Sequence, residues 1–261
     1  MPDLTELHLP AGLNILVIDD EEYNRQLLKA MLKDFEVNIV EAINAEDGLM
    51  FFEKLDFDIV LTDIRLPGMS GMDLARKIRQ FWDKGKASVP LVALTASVTQ
   101  NDQEKYQQAG LDNFLPKPVK EDELLRMIAK LSGNIEKQDQ QRESIPEENN
   151  DEAAHFDLKE LKRLSNQDEG FYREMIELFI RNTESGFELI RMHLDKKEFN
   201  ELQEQTHKIV SPARHIKAHK LISLLKEIEL LENPGTRTDR LEELLNESLN
   251  EFKIIKNALK G

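Results

Sequence analysis

The feature that most restricts the fold of this chain is a single change of hydrophobic period along its length. In the first half, short apolar or β-branched runs alternate with helical patterns: LNILVI (13–18), VNIV (37–40), DIVLT (58–62), PLVALT (90–95) and DNFLP (112–116). Helix-like segments fall near 21–33, 44–55, 71–82, 99–109 and 121–132. Five strands alternating with five helices predict a doubly wound parallel sheet covered on both faces. From residue 155 the strand signal is gone. Apolar residues recur instead at helical spacing, as in Phe171, Met175, Leu178 and Phe179, or Leu241, Leu244, Leu245 and Phe252. That pattern predicts an antiparallel four-helix bundle preceded by a short helix, so the expected class is α/β plus all-α.

Between the halves lies SGNIEKQDQQRESIPEENNDEA, nearly devoid of apolar residues and interrupted by a proline. Such a stretch cannot bury enough surface to offset its ordering entropy, which makes 133–154 an expected flexible linker between domains at 12–132 and 155–260. A flexible chain of that length has an end-to-end distance of roughly 26 Å, enough to permit docking in cis. Charge divides the same way. The chain nets -15, of which residues 1–132 carry -8, 133–154 carry -5 and 155–261 only -2. An acidic chain lacks the basic footprint nucleic acid requires. The absence of cysteine excludes disulfides and thiolate metal sites. No apolar run approaches the ~18 residues of a membrane span, and MPDLTELHLPAG has no secretory signature. The expectation is a cytoplasmic segment without membrane contact of its own, whose parent protein is free to be membrane-anchored.

Polar groups close the predicted strands at one sheet edge, where ligands of open α/β sheets gather. The first strand ends in Asp19-Asp20, the third in Asp63 and the fourth in Thr95, while Lys117 follows the fifth. Singly, these would be a helix cap or ordinary surface residues. Together, three neighbouring carboxylates repel unless a cation sits among them, and an oxygen-only set with open positions suits Mg²⁺. A hydroxyl and an ammonium at the rim supply what phosphoryl transfer needs around its equatorial oxygens.

The fragments ILVIDDEEYNRQLL, DIVLTDIRLPGMSG, VPLVALTA and GLDNFLPKP, in that order, resemble the response-regulator receiver domain, a flavodoxin-like fold. The resemblance implies that Asp63 is the phosphoacceptor, with Mg²⁺ held by Asp63, Asp20, Asp19 (largely through water) and the backbone carbonyl of Arg65. It further implies that Thr95 and Lys117 hold phosphoryl oxygens, that Phe114 is the aromatic switch and that the Lys117–Pro118 bond is cis.

In the second half attention falls on His207. At about 100° per residue, Leu202, Ile209, Ala213 and Ile216 cluster near 180–240° from it, which predicts an imidazole facing solvent. Ser211 and Arg214 are expected on the same face, with Val210 nearby. From Gln205 to Lys226 there are five basic residues (Lys208, Arg214, Lys217, Lys220 and Lys226) and no acidic one, a surface suited to an acidic, phosphorylated partner. The segment FNELQEQTHKIVSPARHIKAHKLISLLKEIELLE is similar to a histidine phosphotransfer (HPt) domain, with two departures. Val210 and Ser211 stand where that family usually has lysine and glycine, and Arg214 is the candidate replacement cation. Pro212 removes one helical hydrogen bond. His215 and His219 lack the companions a metal pair needs.

The resulting expectation is a two-component phosphorelay segment exchanging phosphoryl between Asp63, His207 and partner domains. Those partners are a histidine kinase and further receiver or HPt domains, as at the C-terminus of a hybrid sensor histidine kinase. No ATP-binding kinase core is visible in the chain. Two alternatives remain open: a docking-only HPt-like module, and a Mg²⁺-dependent phosphohydrolase of the haloacid-dehalogenase type. The latter would need an acid at position 65, where Arg65 stands.

Overall fold

Strands form where apolar runs can be buried, and the central runs of the first half (13–18, 59–63 and 91–95) are buried on both faces. A computed structural model describes residues 9–96, 99–133, 155–231 and 234–260, so all of the expected linker except Gly133 lies outside the described residues. The chain splits into two compact units, Met1–Pro146 and Glu147–Gly261.

In the first unit, β1 (Leu13–Ile18), β2 (Val37–Ala42), β3 (Ile59–Asp63), β4 (Leu91–Thr95) and β5 (Asn113–Pro116) form one sheet in the order β2-β1-β3-β4-β5. Every neighbouring pair is parallel. Every residue of β3 and β4 is buried, as expected of central strands covered on both sides. The order reverses between β1 and β3, which places a crevice above their carboxyl ends.

The helices are α1 (Glu22–Leu32), α2 (Ala45–Lys54), α3 (Gly71–Arg79), α4 (Lys84–Ala87), α5 (Gln100–Ala109) and α6 (Glu121–Leu131). Their starts are set locally: Asn44 and Ser70 cap α2 and α3, and Thr99 with Asp102 forms a capping box on α5. The helix expected over 71–82 stops earlier, at Arg79, because Asp83 opens α4 by accepting from the N–H groups of Gly85 and Lys86. One face of the sheet, including Leu16, Ile18, Val60, Leu91 and Ala93, packs with Phe52, Ile78 and Tyr106 into a continuous core.

Arg79 braces the opposite edge. It donates to the carbonyls of Gly110 (2.8 Å), Ala87 (2.6 Å) and Val89 (2.9 Å), and to Asp112 Oδ2 (2.5 Å). Arg79→Ala strands three carbonyls and is expected to cost about 2–3 kcal/mol. Thermal denaturation should show the unit melting roughly 10 °C lower.

The second unit is helical: α7 (Lys159–Ser165), α8 (Glu169–Lys196), α9 (Phe199–His215), α10 (His219–Glu229) and α11 (Thr238–Lys260), with a 3-10 turn at Pro234–Thr236. Helix α8 packs on α9 and α11, α9 on α10, and α10 on α11. Phe252 is central, meeting Phe179 edge-on and Phe187 at a tilt. A Cβ at Gly186 would lie 2.7 Å from Ile209 Cγ1, so α8 and α9 approach as closely as they do because residue 186 has no side chain. Pro212 is accommodated inside α9.

Candidate functional site

The carboxyl edge of the sheet brings the predicted polar residues together. Asp19 directly follows β1, Asp63 ends β3, Thr95 ends β4 and Lys117 directly follows β5. Asp19 is fully buried, and Asp63, Thr95 and Lys117 nearly so. Lys117 Nζ donates to Asp63 Oδ2 at 2.5 Å and to Asp19 Oδ2 at 2.8 Å. Asp63 Oδ1 accepts from the backbone N–H of Arg65 at 3.0 Å, which sets the backbone of residue 65 beside the cluster. The Lys117–Pro118 bond is cis, as the resemblance implies.

Electrostatics follow from burial. Burial raises the Asp63 carboxyl above its ordinary value, and Asp19 adds to that while Lys117 opposes it. Burial alone would lower the Lys117 ammonium, but Asp19 and Asp63 outweigh it and raise it. Carboxylate oxygens of Asp19, Asp20 and Asp63 all lie within 4.8 Å of one another. Three hard oxygen donors at that separation, with charge one ammonium does not neutralise, fit Mg²⁺. Asp19, Asp20 and Asp63 would hold it.

Four contributors were not singled out from sequence. Asn24 donates to both oxygens of Asp19 (3.0 and 3.1 Å), and Arg25 donates to the Asp19 carbonyl at 2.7 Å. These two sit on the first turn of α1, where a polar pair beside an acidic strand end was the available signal. Glu21 presents its N–H to Asp19 Oδ1 at 2.9 Å. Tyr106 of α5 shares a 2.9 Å hydrogen bond with Thr95 Oγ1. Phe114 is half-buried against the core cluster.

The surroundings of His207 differ from the helical-wheel expectation. The imidazole is only 15% exposed, and its Nδ1 lies 2.8 Å from Glu229 Oε1 of α10. Val210 and Ser211, expected on the open face, are 1% and 5% exposed; Lys208 and Arg214 are half-buried. The reason is packing on two sides. Helix α9 is clasped by both α8 and α10, so its buried arc is wider than the apolar stripe predicts. The basic surface is also smaller than the composition suggests. Lys220 pairs with Glu251 at 2.8 Å, and Lys217 lies 4.0 Å from Asp157. Glu229 itself falls three residues beyond the acid-free window. A groove of about 710 Å³ between α8 and α11, lined by Phe187, Met192 and Phe252 among others, contains neither His207 nor Glu229.

Residues 15–129 match the family model of the response regulator receiver domain. Over 261 residues the chain is 28% identical to the aerobic respiration control sensor protein ArcB of Escherichia coli strain K12, covering 99% of this chain and 33% of ArcB. It is 27% identical over 242 residues to the sensor protein GacS of Pseudomonas syringae, covering 89% of this chain and 26% of GacS. The chain thus spans about a quarter to a third of the length of these curated relatives. Among solved structures, a receiver domain of a sensor histidine kinase from Pseudomonas aeruginosa, with a magnesium ion coordinated in its active-site cleft, is 32% identical. That match covers 47% of this chain and 99% of that one, with a TM-score of 0.44. Among the described residues, no helix is long and apolar enough to cross a membrane.

Proposed function

We propose that this chain, whose residues 15–129 make up a response regulator receiver domain, is a two-station phosphorelay segment. Asp63 is the station in the receiver. His207 is the station in an HPt-type antiparallel four-helix bundle at 155–260. The observation that carries the reading is the buried Asp19–Lys117–Asp63 cluster, with Asp20 beside it, at the carboxyl edge of the sheet. A carboxylate held by an ammonium and flanked by two further acids is arranged to become a dianionic acyl phosphate beside a cation.

In the first step an Asp63 carboxylate oxygen attacks the phosphorus of a donor phosphohistidine, and the P–N bond breaks as the donor imidazole leaves. Mg²⁺, held by Asp19, Asp20, Asp63 and the Arg65 carbonyl, would neutralise charge on the phosphoryl oxygens. Lys117 and Thr95 hold those oxygens in the directions they take as phosphorus becomes trigonal.

In the second step Nε2 of His207 attacks phospho-Asp63, the acyl P–O bond breaks and the Asp63 carboxylate is restored. The Nδ1 contact to Glu229 supports this assignment: an ionised carboxylate accepts, so Nδ1 carries the proton and Nε2 keeps its lone pair. The same carboxylate then stabilises the positive ring formed on attack. Onward acceptors and donors are histidine kinases and other receiver or HPt domains, the parent being a hybrid sensor kinase acting at the cytoplasmic side of a membrane. A receiver fused to a docking-only bundle is the second reading, favoured by the buried Val210 and Ser211 where lysine and glycine are usual.

Incubation with acetyl phosphate and Mg²⁺, followed by mapping of phosphorylated residues without acid, tests both readings. Wild type is expected to carry label on Asp63 and acid-labile, base-stable label on His207. Asp63→Ala should lose the first and, with it, labelling of His207 in cis. Label on Asp63 that never reaches His207, in cis or from a second receiver, would leave only the docking reading.

A further inference from the structure

Tyr106 neither carries phosphate nor holds a phosphoryl oxygen in the proposed relay. It stands on α5, 7% exposed, in the core cluster with Ile18, Val60, Leu91 and Ala93. Its hydroxyl lies 2.9 Å from Thr95 Oγ1, and both atoms are buried. Alternation along β4 places Thr95 on the same face as Leu91 and Ala93, toward the layer that holds Tyr106. Asp63 is in register with Leu94, whose side chain points to the opposite face. For the Thr95 hydroxyl to serve a phosphoryl group on Asp63, it must turn from beneath the sheet to the sheet edge. That turn breaks the bond to Tyr106 and leaves a buried phenol to find another partner. Phe114, on β5, has no hydroxyl with which to take Tyr106's place.

We propose that Tyr106 is a positioning residue that latches Thr95. Its hydroxyl holds the Thr95 hydroxyl under the sheet in the unphosphorylated domain and competes with the phosphoryl group for it. Phosphorylation of Asp63 and release of α5 from the strand end are therefore opposed by the same hydrogen bond. The proposal rests on Asp63 being the phosphoacceptor.

The test uses the full chain with Mg²⁺, measuring acetyl-phosphate labelling of Asp63 and half-saturation by beryllofluoride, a phosphoryl mimic. The variants are Tyr106→Phe, Thr95→Val and the double variant. Losing one buried neutral hydrogen bond specific to the resting state is expected to tighten beryllofluoride binding of Tyr106→Phe about three- to ten-fold. In the Thr95→Val background the same substitution should change binding little, because the coupling runs through that hydroxyl. Unchanged or weaker binding by Tyr106→Phe, or an equal gain without the threonine hydroxyl, overturns the latch. A second measurement needs no substitution: beryllofluoride should raise amide exchange in α5 of the wild type, and unaltered exchange there also overturns it. If wild type takes no label on Asp63, the failure lies in the underlying reading, which labelling reveals before any variant is made.

Discussion

Lys117→Met is expected to lower the stability of the first unit by about 3–5 kcal/mol in cation-free buffer, a shift of well over 10 °C in melting temperature. Methionine preserves the apolar stem but removes the ammonium that bonds Asp19 and Asp63 at 2.8 and 2.5 Å. Two buried carboxylates then face each other uncompensated. The loss should depend on pH. Asp63 already has its folded pKa raised, by burial first and Asp19 second, with Lys117 opposing. A carboxyl raised in the folded state favours folding below its unfolded pKa and loses that contribution as pH rises through the folded value. Without Lys117 the rise is larger, so the deficit should be small in mild acid and grow toward neutrality. Millimolar Mg²⁺ should recover much of it, since the three acids that repel are those that would hold the ion. Denaturation curves at two pH values, with and without Mg²⁺, check the result. A variant as stable as wild type in all four conditions would show that the ammonium compensates nothing.

The second large effect is expected at a residue with no chemistry. A Cβ at Gly71 would lie 2.1 Å from the carbonyl oxygen of Asp63, 3.0 Å from its carbonyl carbon and 3.1 Å from Thr62 Oγ1. The obstacle is backbone, which cannot rotate away as a side-chain tip can. Gly71 also begins α3 and donates its N–H to the Ile64 carbonyl at 3.1 Å. In Gly71→Ala either the first turn of α3 or the end of β3 must move, and the end of β3 carries Asp63, the proposed phosphoacceptor. Overpacking should cost about 1–3 kcal/mol. A displacement on the order of 1 Å at Asp63 should slow its labelling by acetyl phosphate about 100-fold. Normal labelling in a variant with a normal melting temperature would mean that the contact relaxes without disturbing Asp63.

The legible and illegible parts of the molecule separate along physical lines. The receiver could be read because its signals are local and redundant. Asp19, Asp63, Thr95 and Lys117 each terminate or follow an apolar run, and a parallel sheet must gather such ends at one edge. The caps at Asn44, Ser70 and Thr99 are local too. What sequence did not show are contacts made by distance in space. Tyr106 reads as an isolated aromatic on a polar helix, since nothing in its own segment reveals that its hydroxyl reaches Thr95. Glu229 lies 22 residues from His207, on another helix. The helical wheel of α9 treats the helix as if it packed on one side, so it left Val210 and Ser211 in the open. The basic window ending at Lys226 likewise overlooked Glu251, which arrives from α11 to neutralise Lys220.

The tight seam at Gly186 bears on how the imidazole is aimed. Ile209 fits against the bare backbone of α8, and that fit sets how far α9 is rolled about its own axis. His207 is two positions earlier on the same rigid rod, so its compass bearing toward Glu229 is dictated by a glycine on a different helix. Drift at position 186 would therefore steer the ring without touching any atom of it. The bearing of the His207 ring is hostage to a place where there is no side chain at all.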